Sequence, residues 1–488
     1  MNKQAPFFYR NVIKAIMVLL IGLMVSSCGG GGGKSDDEGS RKPITTFNVN
    51  TTAITVDDKS NTEVITITTT ESWTISNTAD WLTLSATSGS GTQTLTLTIV
   101  MNELSTSRNA ELSIHAGSLT KTIAIQQSAA KVNDYDIPAD TTDMRDIDSA
   151  AFTDLMGLGF NIGNSLDAVG GETAWGNPLI TKALVDAIKA AGFNSIRLPV
   201  AWSQFSDANN FIIKAEWLNR VEEVVNYALV NDMYVMINIH WDGGWMQPTN
   251  ADKDYVNNRL AIMWQQIATH FRDYDDHLLF AGTNEVMVEG DYGTPTTEYY
   301  TVQNSFNQTF VKTVRKTGGR NVYRQLIVQG FNTNIDHTIN FFTMPLDTTP
   351  DRLMVEVHFY DPFSFTLEEA NDNTSQWGQN ATDISKTAGW GDEAAVDAQF
   401  LKMRDHFFDQ NIGIILGEYG AISRNKIADH EQYRIYWNEY ITQAAIDNKM
   451  VPFYWDNGYT GEHSLGLFNR ATAAEAYPNL IDAITQSD

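Results

Sequence analysis

The stretch Ile412-Gly413-Ile414-Ile415-Leu416-Gly417-Glu418-Tyr419-Gly420 decides the fold. A short apolar run, too brief for a helix, ends abruptly on a carboxylate, which reads as a buried strand with a polar tip. The same figure stands upstream in Leu353-Met354-Val355-Glu356-Val357-His358-Phe359-Tyr360. In all, eight strand candidates begin near Leu158, Asn194, Met233, His277, Leu326, Leu353, Ile412 and Met450. Longer helical patterns lie between them. Val221, Val224, Val225 and Ala228 recur at helical spacing after the second strand, and Leu260, Met263, Trp264 and Ile267 do so after the third. Alternating βα units mean a parallel sheet, and eight strands close a (β/α)8 TIM barrel. Residues 146–488 are assigned to this α/β domain, long enough to carry large loops beyond the roughly 250 residues of a minimal barrel.

In such barrels the scaffold fixes the C-terminal tips of the strands while the following loops vary, so chemistry collects there. Strand two ends in Ile196-Arg197-Leu198-Pro199, strand three in Asn238-Ile239-His240-Trp241-Asp242, and strand four in Gly282-Thr283-Asn284-Glu285. Strand six ends in Glu356-Val357-His358-Phe359-Tyr360, strand seven in Gly417-Glu418-Tyr419-Gly420, and strand eight in Tyr454-Trp455-Asp456-Asn457. Titratable groups thus converge on one rim from otherwise apolar segments. Glu285 and Glu418 stand on roughly opposite sides of a closed ring. Glycoside hydrolysis needs such a pair: one carboxyl protonates the departing oxygen, and the other stabilises or attacks the oxocarbenium-like carbon from the opposite face. Retaining enzymes hold the two about 5 to 5.5 Å apart, a distance that sequence does not supply.

Six ordered motifs carry a resemblance that covers the chain from about Asp146 onward. They are Asn161-Ile162-Gly163-Asn164-Ser165-Leu166-Asp167-Ala168, Glu172-Thr173-Ala174-Trp175-Gly176-Asn177-Pro178, the Arg197 segment, the Asn284-Glu285 pair, Glu356-Val357-His358-Phe359-Tyr360-Asp361-Pro362 and Gly417-Glu418-Tyr419-Gly420. Together they resemble glycoside hydrolase family 5, best its subfamily 4, whose members are endo-acting and retaining on cellulose-type, mixed-linkage and xyloglucan backbones. The resemblance implies that Glu285 is the acid/base and Glu418 the nucleophile. It implies that Asn284 bonds the sugar 2-hydroxyl, that Arg197 and Tyr360 orient Glu418, and that His240, His358 and Asn164 line the substrate site over a Trp455 stacking floor. The chain departs from many relatives at Trp241, where a second histidine is common, and at Val286 after the acid/base. Both departures bear on subsite shape and so on the substrate. Trp241, Trp245, Trp377 and Trp390 fall in long rim loops, where one or two are expected to line sugar subsites.

Outward toward the N-terminus, residues 44–128 are rich in Thr, Ser, Val and Ile in period-two runs such as Leu95-Thr96-Leu97-Thr98-Ile99. Turn-forming Ser88-Gly89-Ser90-Gly91 separates such runs, so a small all-β, immunoglobulin-like sandwich is expected. Trp73, Asp80-Trp81-Leu82, Arg108 with Ala110, and Ile123-Ala124-Ile125-Gln126-Gln127 resemble the BACON domain. Its tryptophans read either as a sugar platform or as core of a spacer, and the spacer is preferred. Residues 129–145 read as a polar linker. At the start, Lys3, Arg10 and Lys14 precede the apolar run Ala15 to Val25, too short to span a bilayer, and then Val25-Ser26-Ser27-Cys28. Residues 1–28 therefore resemble a lipoprotein signal ending in a lipobox, with Cys28 lipidated and residues 29–43 a flexible tether. The expected place is the outer membrane, at the cell surface.

With 59 acidic against 33 basic residues the net charge is −26, which disfavours nucleic acid and leaves a neutral polysaccharide as the fitting partner. No Cys/His zinc spacing, His-Glu-x-x-His or phosphate loop is found, so neither metal nor cofactor is expected. Gly318-Gly319 follows a helical pattern and reads as a helix stop. A monomer is expected. Taken singly, His358 also reads as a satisfied core histidine, Arg197 as a structural ion pair and Trp455 as a barrel plug; their convergence favours a site. A non-catalytic glycan-binding lipoprotein is the rival of another class, and it predicts loss of one glutamate. Xyloglucan is the first expected substrate and mixed-linkage glucan or cellulose the second, with mannan or xylan as alternatives on the same fold.

Overall fold

The computed structural model describes residues 46–77, 79–102, 107–128, 137–240, 242–370 and 372–486. The leader, Cys28, the tether and Trp241 lie outside the described residues. The chain divides into two compact units between Lys131 and Val132. None of the described helices is long and apolar enough to cross a membrane.

The first unit is a two-sheet β-structure. One sheet runs in the order Phe47–Val49, Asn61–Thr69, Gln93–Ile99, Leu82–Leu84; the other runs Ala53–Val56, Leu119–Gln127, Arg108–Ala116, Ser72–Asn77, Ser88–Ser90. Alternation sets the faces: Leu95, Leu97 and Ile99 are buried while Thr94, Thr96 and Thr98 face water. Each fully buried aliphatic side chain contributes about 1.5–3 kcal/mol. Trp73 belongs to this core and its Nε1 donates to the Gly91 carbonyl at 3.2 Å. Trp81 is covered by the Arg108 guanidinium, 4.3 Å from its ring centroid. Core packing, and not an open sugar platform, therefore accounts for Trp73.

In the second unit eight parallel strands close a barrel: β1 (Gly159–Ile162), β2 (Ser195–Leu198), β3 (Tyr234–Asn238), β4 (Leu278–Ala281), β5 (Leu326–Gln329), β6 (Leu353–Phe359), β7 (Gly413–Tyr419) and β8 (Met450–Asp456). Both faces of each strand are dry. Met236, Leu279, Ala281, Ile327, Met354, Ile415 and Val451 cluster with Phe152 and Met156 of the helix Ser149–Met156. The alternate residues Val235, Ile237, Phe280, Val328, Val355 and Ile414 pack with helix residues such as Val221, Val225, Trp264 and Phe310. Burial on both faces is why the strands read as continuous apolar runs. The helix Thr297–Lys316 stops before Gly318, whose φ of +70° is in the left-handed region.

The stretch expected to be linker through residue 145 joins this unit at its described end. Arg145 donates to Asp276 from its backbone N at 2.9 Å and from Nη2 at 2.8 Å, and Asp143 ion-pairs with Arg320 at 3.0 Å. Its polar residues find charged partners at the N-terminal end of the barrel, so they are held there.

Candidate active site

Two backbone irregularities aim the glutamates. β6 pairs with β7 through Val357 and Leu416, then through His358 and Glu418, so Gly417 is an extra residue in the ladder. A bulge of this kind re-aims the side chain that follows it. Only glycine fits there, because a Cβ at Gly417 would stand 2.0 Å from Oε1 of Glu356. Glu285, beyond the tip of β4, has a φ of +45°, which a residue with a side chain holds only when its surroundings impose it. Its backbone N–H donates to Oε1 of Gln329 on β5 at 3.2 Å, and the Asn332 N–H donates to the Val286 carbonyl at 2.9 Å.

The side chains form one network. Arg197 Nη1 donates to Oε1 of Glu418 at 2.8 Å and to Oδ1 of Asn161 at 2.9 Å, and Nη2 donates to Oδ1 of Asn284. Its Nε lies 3.0 Å from Oε1 of Glu356. Tyr360 donates its hydroxyl proton to Oε2 of Glu418 at 3.1 Å. His358 bridges two carboxylates, with Nδ1 2.7 Å from Oε1 of Glu285 and Nε2 3.1 Å from Oε1 of Glu356. One oxygen from each of Glu285 and Glu418 and a ring nitrogen of His358 all lie within 4.8 Å of one another. That closeness suits the 5 to 5.5 Å of a retaining pair, and leaves no room for the water held between carboxyls roughly 6.5–9.5 Å apart in inverting enzymes.

Burial and an uneven charge count set the protonation. Burial, reinforced by the carboxylates of Glu285 and Glu356, pushes Glu418 up to about 7 against the pull of His358 and Arg197. His358 is raised to about 9: burial opposes its charge, but Glu418, Glu285 and Glu356 outweigh it. Glu285 is drawn below the usual range, since the His358 hydrogen bond and charge overcome a burial that would raise it. The contact between Glu285 and His358 thus holds one proton near neutrality. His240 is held far below 6.5 by burial, with Arg197 and His358 adding to it, and is neutral; its Nδ1 faces Nδ2 of Asn238 at 3.2 Å.

His240 lies nearly parallel to Trp455, with centroids 5.8 Å apart and planes 13° apart. Trp455 packs on Gly163, where a Cβ would stand 2.5 Å from the indole. Asn164 occupies the adjoining turn with a φ of +54°; its N–H donates to Asp167 at 3.1 Å and its carbonyl accepts from Asn177 at 2.9 Å. Trp245 is half-buried under the Arg259 guanidinium, 4.3 Å from its ring, and lines a pocket with Met246, Val286 and Met287 beside Glu285. Trp390 is 56% exposed. Trp377 is not a surface: it is buried and donates Nε1 to the Gly391 carbonyl at 2.7 Å, so it packs beneath its own loop. Three members of the network had no role in the sequence reading, namely Asn161, Gln329 and Glu356. Gln329 is the last residue of β5 and Asn161 the last but one of β1, so the strand-tip rule, applied to those two strands, finds them.

A closed eight-strand barrel with two close carboxyls at the tips of β4 and β7 defines a retaining glycoside hydrolase. Residues 160–461 match the family described as cellulase (glycosyl hydrolase family 5), and residues 71–128 match BACON, described as a putative N-terminal binding domain. The xyloglucan-specific endo-beta-1,4-glucanase of Bacteroides ovatus is 44% identical over 423 residues, which are 82% of this chain and 83% of that one. The structure of a Bacteroides ovatus family 5 xyloglucanase with an XXXG heptasaccharide superposes with a TM-score of 0.70 at 39% identity, covering 91% of this chain and 99% of that one. A subfamily 4 broad-specificity endoglucanase from Bacteroides salanitronis gives a TM-score of 0.64 at 43% identity, over 68% of this chain and 93% of that one. The chain belongs to glycoside hydrolase family 5. It is a retaining, endo-acting β-1,4-glucanase preceded by a BACON domain.

Proposed function

We propose that this enzyme cuts xyloglucan within its backbone, with Glu418 as nucleophile and Glu285 as acid/base. The observation that carries the roles is the clamp on Glu418. Arg197 and Tyr360 donate one hydrogen bond to each of its oxygens, fixing a carboxylate in place. Glu285 contacts His358 instead, and its side chain is 38% exposed, open to a leaving group. Glu418 attacks carbon one while Glu285 gives a proton to the departing oxygen; water then attacks the glycosyl ester, giving its proton to Glu285 and releasing Glu418. Asn284, its Oδ1 taken by Arg197, offers Nδ2 to the 2-hydroxyl. Trp455 and His240 floor the subsite, with Asn164 beside them. The likeness to the Bacteroides ovatus xyloglucanase, in sequence and in structure, supports the substrate, and the broad-specificity relative supports mixed-linkage glucan or cellulose as the second reading.

Two experiments test this. On equal masses of xyloglucan, barley β-glucan, carboxymethylcellulose, glucomannan, mannan and xylan, xyloglucan should be cut fastest, to oligosaccharides; faster cleavage of mannan or xylan than of every glucan removes the reading. For the roles, Glu285→Ala should lose about 100- to 10,000-fold on polysaccharide. With an activated aryl glycoside and azide it should yield the β-glycosyl azide, whereas Glu418→Ala should yield the α-azide. The reverse pairing of products means exchanged roles.

The protein is further proposed to be a monomer anchored through lipid on Cys28 to the outer membrane, facing outward. The lipobox-like Val25-Ser26-Ser27-Cys28 supports this. Labelled palmitate should enter the wild type and not Cys28→Ala, protease added to intact cells should remove the enzyme, and light scattering should give the mass of one chain.

A further inference from the structure

Glu356 sits behind the reacting pair, fully buried, and every element around it supplies a partner. From β2, Arg197 Nε stands 3.0 Å away; from β5, Gln329 Nε2 donates at 2.8 Å; from β6, His358 Nε2 lies at 3.1 Å; from β7, Gly417 leaves the space its carboxylate fills. Burial opposes its charge, but Arg197, then His358 and Gln329, outweigh it and hold Glu356 below the usual carboxylate range. It is therefore an anion, which only accepts. Nε2 of His358 must then carry a hydrogen, whichever form the ring takes. The one remaining proton lies between Nδ1 of His358 and Oε1 of Glu285, 2.7 Å apart.

That leaves a conflict between the two roles. The nucleophile works only when ionised and the acid only when a proton is at hand, yet an oxygen of each carboxyl and a His358 nitrogen lie within 4.8 Å of one another. We propose that Glu356 is a positioning residue which, acting through His358, keeps the transferable proton in the Glu285–His358 contact while Glu418 stays ionised. This rests on the roles given above to Glu285 and Glu418. In glycosylation the proton passes from the contact, through Oε1 of Glu285, to the glycosidic oxygen as its bond to carbon one breaks and the bond from Glu418 to carbon one forms. In deglycosylation water returns a proton to the contact and its hydroxyl goes to carbon one as the ester bond to Glu418 breaks, so the cluster regains what it gave. Glu285, Glu418 at 3.7 Å and Glu356 face His358 as anions, while Arg197 and the neutral His240 lie nearby. Of these anions, Glu356 is the one outside the reacting pair, so its charge is constant through both steps.

The test is the pH dependence of kcat/KM on a soluble β-glucan. In Glu356→Gln the alkaline limb should move to lower pH by about one unit or more, because loss of a neighbouring anion makes the His358 contact release its proton sooner. Glu356→Asp, which keeps the charge, should return the limb toward the wild type even if kcat stays low. A lower kcat with an unmoved limb in Glu356→Gln overturns the proposal and leaves Glu356 a packing residue. Should Glu356→Gln fail to fold, nitrogen-15 NMR of the wild-type imidazoles decides, with the His358 signal identified by its loss in His358→Asn. Nε2 should stay protonated on both sides of the alkaline limb, and an unprotonated Nε2 overturns the proposal. The azide stereochemistry reports on the underlying roles separately, so failure of that reading is distinguishable from failure of this one.

Discussion

At the two ends of the same strand, β4, the barrel holds clusters of one kind, an arginine and a histidine among carboxylates. At the entry, Arg145 pairs with Asp276 at 2.8 Å, and His277 stands 3.2 Å from Asp275 and 3.6 Å from Asp232. At the exit, Arg197 and His358 face Glu285, Glu356 and Glu418. The difference lies in where the surplus anions sit. Asp275 is 40% and Asp232 94% exposed, so water solvates them. Glu356 and Glu418 are 0% and 7% exposed, so the cluster must keep a proton. His277 is raised, chiefly by its Asp275 hydrogen bond, with the charges of Asp275 and Asp276 adding and burial and Arg145 opposing, whereas the exit cluster lifts Glu418 to about 7 and His358 to about 9. Residue type alone does not make an active site; an uneven count of buried charges does.

The widest separation should come from removing one carboxylate at each end. Glu418→Ala should lose on the order of 10,000-fold or more in kcat, as expected when a nucleophile is deleted. Asp276→Ala should keep wild-type kcat per folded molecule and instead lose stability. The loss should be about 1–3 kcal/mol, below the 3–5 typical of a fully buried pair, because Arg145 is 37% exposed. Reducing-sugar assays and calorimetry measure the two. Equal kinetic damage at both ends breaks the comparison.

Arg197→Lys asks whether the exit needs charge or a fork. Lysine keeps the charge but cannot reach Glu418, Asn161 and Asn284 at once. Loss of charge-assisted bonds worth about 1.5–3 kcal/mol each should lower kcat roughly 100-fold. Arg145→Lys at the entry should stay within a few-fold. A lysine that restores full activity at position 197 means that the fork orients nothing.

These contrasts also show what the sequence reveals. Strand starts were legible almost to the residue, as with β2 at Ser195 against the expected Asn194, because both faces are buried and the apolar runs have sharp ends. Glu285 and Glu418 were legible because a carboxylate closing such a run has no bland explanation. Glu356 shares the face of His358 by the alternation of the strand, but its role was not legible, because its partners Arg197 and Gln329 come from other strands. Which rim-loop tryptophans only pack was not legible, since nothing local tells that the Trp377 indole turns under its loop to the Gly391 carbonyl. The hold of Arg145 on the barrel was not legible, because it looks solvated until Asp276, 131 positions away, is placed beside it.

Acidity separates the two ends by a smaller factor. Glu418 must be ionised to attack and is pushed up to about 7, so kcat/KM should fall as pH drops through that value, about tenfold per unit below it. An ordinary carboxylate would place the limb near 4.3. A profile of kcat/KM from pH 4 to 9 decides between these, and a limb at the ordinary carboxylate value means that the uneven count has no kinetic consequence.

The smallest effect belongs to the entry. His277 is raised above 6.5, first by its hydrogen bond to Asp275, with burial opposing, and Asp275 is correspondingly lowered by the same bond. A histidine whose folded value is raised gives stability that is fully present below its unfolded value and fades as pH rises through the folded one. The carboxylate half is present above the unfolded Asp range and is lost only as pH falls through its lowered value. The charge contribution of the pair should therefore be present near pH 5.5 and fade as pH rises through the raised His277 value. His277→Gln also removes a ring stacked on Tyr234 at 4.7 Å, a loss that does not vary with pH. The difference between the destabilisation at pH 5.5 and that at pH 8.5 isolates the charge. With Asp275 partly in water, that difference should be under about 1 kcal/mol, with kcat unchanged at both values. Urea unfolding at the two pH values measures it. A difference of several kcal/mol, or one larger at pH 8.5, means that the entry cluster too carries buried, unbalanced charge.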